Sequence, residues 1–276
     1  MGRGRMTCVA TVKDDINVFS WVGADSLISN GYMKLKSKNE KVFHNSGFPD
    51  VVVGVSGSMN GYALKYVPLI ERSILLEDKI DYEYMVTSFI ETYKEAMTSV
   101  NAVSLGQDGS FMNQSSSMLV YRDQIFALES DFSVFVPSTD YYSVGSGSSY
   151  ALGSLFSTEG LNPIYRLYLA LQSSIEFAVG CDKPIIILNT FNYDKIVINE
   201  KDEIELYKFD LAKQDFELFG IDTVANAFGY DITEVIEEEN QEETGAKESK
   251  FWEFTEGIYR ELFEELGLSV QEVESA

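Results

Sequence analysis

The chain has 276 residues, 45% of them hydrophobic and 24% charged, with 44 acidic against 21 basic side chains and a formal net charge of −23. That apolar content at this length supports a substantial core and excludes disorder throughout. A surface so negative repels phosphate backbones, so nucleic acid and anionic membranes are poor partners. The charge is also uneven. Residues 1–190 hold 20 acidic and 14 basic residues, a balance of −6, whereas residues 191–276 hold 24 and 7, a balance of −17. The pattern is a nearly neutral body followed by an acidic C-terminal extension.

Two cysteines, Cys8 and Cys181, allow at most one bridge, and the basic start Met1-Gly-Arg-Gly-Arg5 lacks the apolar region of an export signal. A reducing cytoplasm is the expected compartment. No apolar run approaches the roughly 20 residues of a membrane span. With one histidine, His44, and no Cys-x-x-Cys pair, neither a metal site nor a cofactor is expected. His44, beside Asn45-Ser46-Gly47, reads as a surface residue near a turn.

In chain order, Cys8–Val12 and Val18–Val22 are short β-prone runs around a polar turn, and Val42–Phe43 and Val51–Val55 form a second pair. Met59–Leu76 reads as a helix interrupted at Pro68. From Asp81 to Met97 the apolar positions Tyr82, Met85, Val86, Phe89, Ile90, Tyr93, Ala96 and Met97 recur at threes and fours, the mark of an amphipathic helix. Strands return at Met118–Tyr121 and Ile125–Leu128. The glycine and serine-rich segment Ser143–Ser149 then opens a helix at Tyr150–Phe156. Asn162 is placed to cap a second helix begun by Pro163, with the stripe Ile164, Leu167, Tyr168, Leu171, Ile175 and Ala178. Pro184–Leu188 is a last buried strand. This order predicts helices layered on antiparallel sheets rather than βαβ units. Lys195–Asn199 and Glu203–Lys208 read as a hairpin, Ile221–Phe228 as a short helix, residues 237–250 as an acidic linker. Phe251–Leu266 is a strongly amphipathic helix, suited to docking on its own body or on a partner.

Common catalytic signatures are missing. There is no G-x-S-x-G elbow, Gly145-Ser146-Gly147 lacks the lysine of a phosphate loop, and a single histidine in a turn leaves no conventional triad. One nucleophile needs no histidine: an amino-terminal Thr, Ser or Cys whose own α-amine, with an unperturbed pKa of about 8, serves as the base.

Five segments occur in order: Met6-Thr7-Cys8-Val9-Ala10-Thr11-Val12, Gly23-Ala24-Asp25-Ser26, Lys41-Val42-Phe43, Gly54-Val55-Ser56-Gly57-Ser58 and Ser143–Gly153. Together they resemble the proteasome β-type and HslV-type N-terminal-nucleophile hydrolases, over roughly Thr7–Thr190, and are most similar to a bacterial and phage branch that begins Met-Thr-Cys. The resemblance implies an α+β fold, a four-layer αββα sandwich carrying the acidic extension. It also implies roles. Thr7 supplies the nucleophile and base, Asp25 pairs with Lys41, and Lys41 lowers the local proton affinity. Gly57 offers a backbone N–H to the oxyanion, and Ser146, with Ser149, holds the α-amine. Each has a plainer reading: Thr7 as a β-branched strand residue, Asp25 and Lys41 as surface charges, Gly57 as a turn. Cys8, which does not match the family's first position, reads as a small core residue.

The sequence departs from the family in several places. The second acidic residue falls near Glu176, the usual Ser-Gly-Gly is Val179-Gly180-Cys181, Gly57-Ser58 replaces the usual Gly-Gly, and Met6 stands where self-cleaving relatives have Gly. Residues 1–6 precede Thr7 as a leader or a start-site miscall, Met6 being an alternative initiator. The expected organisation is a hydrolase domain at 7–190, a hairpin and short helix at 191–236, the linker at 237–250 and a terminal helix at 251–276. The expected activity is that of a threonine peptidase working through an acyl-enzyme. The alternatives are a non-catalytic proteasome-like scaffold and a small-molecule amidohydrolase of the same class. The resemblance further implies a homo-oligomeric ring, and the 251–266 helix would engage an unfoldase or another protein.

Overall fold

The computed structural model describes residues 7–14, 18–29, 34–36, 39–48, 50–67, 69, 80–105, 111–113, 115–210 and 215–223. Its strands are β1 (Cys8–Asp14), β2 (Phe19–Asp25), β3 (Leu27–Ser29), β4 (Lys34–Lys36), β5 (Val42–His44), β6 (Val51–Gly57), β7 (Val103–Leu105), β8 (Phe111–Asn113), β9 (Ser115–Tyr121), β10 (Gln124–Leu128), β11 (Val134–Phe135), β12 (Tyr141–Gly145), β13 (Ile185–Asn189), β14 (Lys195–Ile198), β15 (Glu203–Asp210) and β16 (Asp215–Thr223). One sheet has seven strands in the order β12-β1-β2-β13-β14-β15-β16, another has five in the order β11-β10-β9-β6-β5, and β3-β4 and β7-β8 are separate two-stranded ribbons. Every pairing is antiparallel.

Alternation along the strands sorts the core into three groups. Cys8, Ala10 and Val12 of β1 and Ile185 and Ile187 of β13 pack with Leu155, Leu167, Tyr168 and Leu171. Those four lie on α3 (Ser148–Ser157) and α4 (Pro163–Phe177). The alternate residues Val9, Ile186 and Leu188 meet Val52, Met118 and Val120 from the five-stranded sheet. That sheet's other residues, Val51, Val53, Val55, Leu119 and Tyr121, pack with Met85, Phe89, Tyr93 and Met97. Both faces of the central strands are therefore covered, and nearly every residue of β1, β2 and β6 is buried.

The amphipathic stripe after Asp81 is a continuous helical run. It consists of α1 (Tyr82–Tyr84), a π turn over Met85–Phe89 and α2 (Ile90–Ser99). Asp81 caps its start by accepting the Tyr84 N–H at 2.9 Å. Asn162 caps α4 through Ile164 N–H at 2.9 Å, with Pro163 in the first turn.

Several expectations need correction. Met59–Lys65 forms a 3₁₀ turn, not the start of an α-helix. The helix expected from Tyr150 begins at Ser148, because the first part of the glycine and serine-rich segment ends β12. Ile221–Thr223, expected to begin a short helix, instead close β16, which pairs with β15 across a register shift at Leu206/Tyr207. His44 is half-buried in β5 with its ring 5.0 Å from Tyr193, because the turn begins one residue later. Residues 195–223 are also not an appendage: β14–β16 extend the seven-stranded sheet, and Ile196, Ile198 and Ile204 join its core. The leader 1–6, the 237–250 linker and the 251–266 helix lie outside the described residues. No helix among the described residues is long and apolar enough to cross a membrane.

Candidate functional site

Strand β1 lies between β12 and β2, in a register that places Cys8 opposite Gly145 and Val9 opposite Ala24. The residue before β1, Thr7, therefore falls between the turn after β12 and the end of β2. Its backbone N–H donates to Ser146 Oγ at 3.1 Å, and its carbonyl accepts the Gly147 N–H at 3.2 Å. Gly145 makes this approach possible. Its φ is +101°, and a Cβ there would come within 2.2 Å of the Thr7 carbonyl oxygen.

Asp25, the last residue of β2, accepts four hydrogen bonds. Its Oδ1 takes Lys41 Nζ at 2.7 Å and Cys8 N–H at 2.9 Å; its Oδ2 takes Leu27 N–H at 3.0 Å and Asp182 N–H at 3.3 Å. Lys41 precedes β5, and its carbonyl accepts the Val55 N–H of β6 at 2.9 Å. The ion pair thus joins the seven-stranded sheet to the five-stranded one. Thr7, Asp25 and Lys41 are 5%, 1% and 6% exposed, too buried for the surface readings open to the last two from sequence alone. Gly57 closes β6 with φ +92°.

The electrostatics separate the acid from the thiols. Burial pushes the Asp25 pKa up, and the Lys41 charge and the hydrogen bonds push it back down. All four contacts are donors, so the ionised form has two partners on each oxygen, although burial outweighs them and holds the pKa above the usual carboxylate value. Burial pushes the Cys8 thiol up to about 11 and raises Cys181 as well. A neutral thiol is a poor nucleophile, which leaves Cys8 a core residue beside the candidate site. No group of three or more His, Cys, Asp or Glu residues among those described is arranged to hold a metal ion.

Other expected residues are placed differently. Ser149 is exposed in the first turn of α3, and the bonds to the Thr7 backbone come from Ser146 and Gly147. Glu176 is exposed near the end of α4, and Val179 is 74% exposed. The structure adds residues that sequence reasoning missed. Ser174 is fully buried and donates to the Gly147 carbonyl at 2.9 Å. Its sequence signal was a polar residue inside the apolar stripe of α4, three positions after Leu171. Asp182 holds Asp25 through its backbone and accepts the Ser26 N–H through its carbonyl, contacts that leave no side-chain signature.

No protein-family model matches the chain, and no curated protein does. Solved structures do. BPH of Thiobacillus denitrificans is 20% identical with a TM-score of 0.54, over 66% of this chain and 97% of that one. Its complex with epoxomicin gives 19% and 0.52 over the same shares. Eukaryotic HslV from Trypanosoma brucei gives 15% and 0.48, over 66% of this chain and 98% of that one. The chain therefore shares the fold of BPH. At these identities the likeness carries the fold and not the activity, and about a third of the chain lies beyond it.

Proposed function

We propose that the protein is a proteasome-like threonine peptidase of the bacterial and phage Met-Thr-Cys kind, built as a four-layer αββα sandwich, with Thr7 as its nucleophile. The observation that carries this reading is the backbone around Thr7. Its N–H meets Ser146, its carbonyl meets Gly147, and the next N–H meets a buried Asp25–Lys41 pair. A plain strand start needs no such charged support, and a buried ion pair is poor stabilisation by itself.

In the reaction, the α-amine of Thr7, released from residues 1–6, takes the proton of its own hydroxyl as the oxygen attacks the scissile carbonyl carbon. Gly57 N–H receives the oxyanion. The carbon–nitrogen bond breaks, the ammonium returns its proton to the leaving amine, and the acyl group stays on Thr7 as an ester. Water, deprotonated by the same amine, then attacks the ester carbon; the bond from that carbon to Thr7 Oγ breaks, the ammonium returns its proton to Oγ, and the acid leaves. Lys41, held by Asp25, keeps the local proton affinity of the amine low, and Ser146 fixes its direction. The assembly is a homo-oligomer in a reducing cytoplasm, and the 251–266 segment recruits an unfoldase or other protein partner.

The test compares wild type with Thr7→Ala on a fluorescent peptide panel and on covalent labelling by epoxomicin, with intact mass reporting whether Thr7 is the first residue. The expected result is turnover and labelling in wild type alone, on a chain that begins at Thr7. Equal labelling of both proteins, or a mass that retains Met1–Met6, ends the peptidase reading. The exposed Glu176 and Val179, where the family places its second acid and serine, favour one rival, a non-catalytic scaffold. In that case both proteins assemble alike and neither turns over.

A further inference from the structure

Ser56 lies on β6, immediately before Gly57, and is 6% exposed. Along β6, Val51, Val53 and Val55 face the helical run, and Val52 faces the seven-stranded sheet. Strand alternation therefore turns Ser56 toward the seven-stranded sheet as well. There it meets Gly145: a Cβ on Gly145 would lie 2.8 Å from Ser56 Oγ, as well as 2.2 Å from the Thr7 carbonyl oxygen. The notch left by the missing side chain of Gly145 thus holds the Ser56 hydroxyl on one flank and the Thr7 carbonyl on another.

The peptide joining Ser56 to Gly57 carries the N–H assigned above to the oxyanion. A side chain seated between two sheets fixes the plane of its own peptide, because χ1 and the backbone cannot turn without breaking the seat. We infer that Ser56 is a positioning residue: keyed into the Gly145 notch, it aims the Gly57 N–H relative to Thr7. This deepens the peptidase reading and rests on it. The hydroxyl touches neither substrate nor reacting atoms in this role; it acts through Gly57. The peptide group must be aimed before the reaction, since a donor that reorients during it gives much of its benefit away.

The test uses full-length Ser56→Ala and Ser56→Thr, assayed for kcat, KM, thermal midpoint and the affinity of a peptide aldehyde, whose adduct carries the tetrahedral oxygen. The matching peptide amide is the ground-state control. For Ser56→Ala the expected results are a kcat lower by about 10- to 100-fold, a similar loss of aldehyde affinity, and a KM and amide affinity within about twofold. Ser56→Thr, which keeps the hydroxyl, recovers most of the loss. Unchanged kcat and aldehyde affinity in Ser56→Ala overturn the inference. So does a variant whose thermal midpoint falls while amide and aldehyde affinity fall together, or a Ser56→Thr that behaves as Ser56→Ala. Wild type that neither turns over peptides nor binds the aldehyde sinks the peptidase reading itself, a result visible without any variant.

Discussion

At the residue scale, the Asp25–Lys41 pair is the sharpest feature. Removing one partner leaves a buried charge without its counterion, whereas removing both leaves a neutral pocket. Lys41→Met is expected to cost about 3–5 kcal/mol in urea unfolding. The double variant Asp25→Asn/Lys41→Met removes both charges, so it should lose less stability than the two single losses added together and yet fail on peptides. A double variant that still turns over at the wild-type rate removes the pair from catalysis. The pH dependence has a definite sign. Because burial holds the Asp25 pKa above 3.8, the folded state binds its proton more tightly than the unfolded chain does. The stability of wild type relative to Asp25→Asn should therefore fall as pH rises from 3.8 through the raised folded value, and unfolding curves at a series of pH values read this directly. The thiols behave differently. With Cys8 pushed up to about 11 and Cys181 raised too, neither is a thiolate at pH 8. Native protein should resist alkylation there, and both cysteines should react only after unfolding.

At the scale of elements, two glycines divide the constraints cleanly. Gly145 combines φ +101° with a 2.2 Å approach to the Thr7 carbonyl, so Gly145→Ala should abolish labelling of Thr7 and lower the thermal midpoint. Gly153 lies exposed inside α3, and a Cβ there meets nothing within 4 Å. Gly153→Ala should raise stability by about 0.5–1 kcal/mol without touching activity. A destabilised Gly153→Ala would mean that α3 is held by something other than its own helix and the core beneath it. These elements also show what a linear reading can reach. The stripe from Asp81 to Met97, the Asn162-Pro163 start and the paired β1 and β2 were visible because each depends on residues close in sequence. Met59–Lys65, with Gly61 inside it and Pro68 just beyond, tightens to a 3₁₀ turn instead of extending as a helix, and a short run such as Ile221–Thr223 suits helix and strand alike until β15 pairs with it. Dependence on partners also hid Ser56, Ser174 and Asp182. Their importance comes from what faces them across sheet or helix, whereas Thr7, Asp25, Lys41, Gly57 and Ser146 sat in short segments whose order alone drew attention.

At the scale of the whole molecule, the acidic third of the chain changes meaning. Part of it, from Lys195 to Thr223, is sheet, and three of its isoleucines are core. A chain stopped after Thr190 would strip β14–β16 from β13 and expose that core, so it should be insoluble or molten. A chain stopped after residue 236 keeps every described strand and should remain folded. Circular dichroism and size-exclusion profiles of the two truncations distinguish a structural third from a detachable one. Equal behaviour of the two would contradict the placement of Ile196, Ile198 and Ile204 in the core.

The same topology has a consequence in time. Thr7 is among the first described residues to leave the ribosome, yet its carbonyl waits for Gly147, and the carboxylate beside it waits for Asp182. A site closed by contacts across about 140 and 157 positions cannot assemble on a half-made chain, since the strand that carries its first residue is held by the strand β12 and the α4–β13 turn synthesised much later. Synthesis order thus acts as a safety catch. On the peptidase reading, Thr7 is made long before its supports, and the site is complete only once Asp182 has emerged.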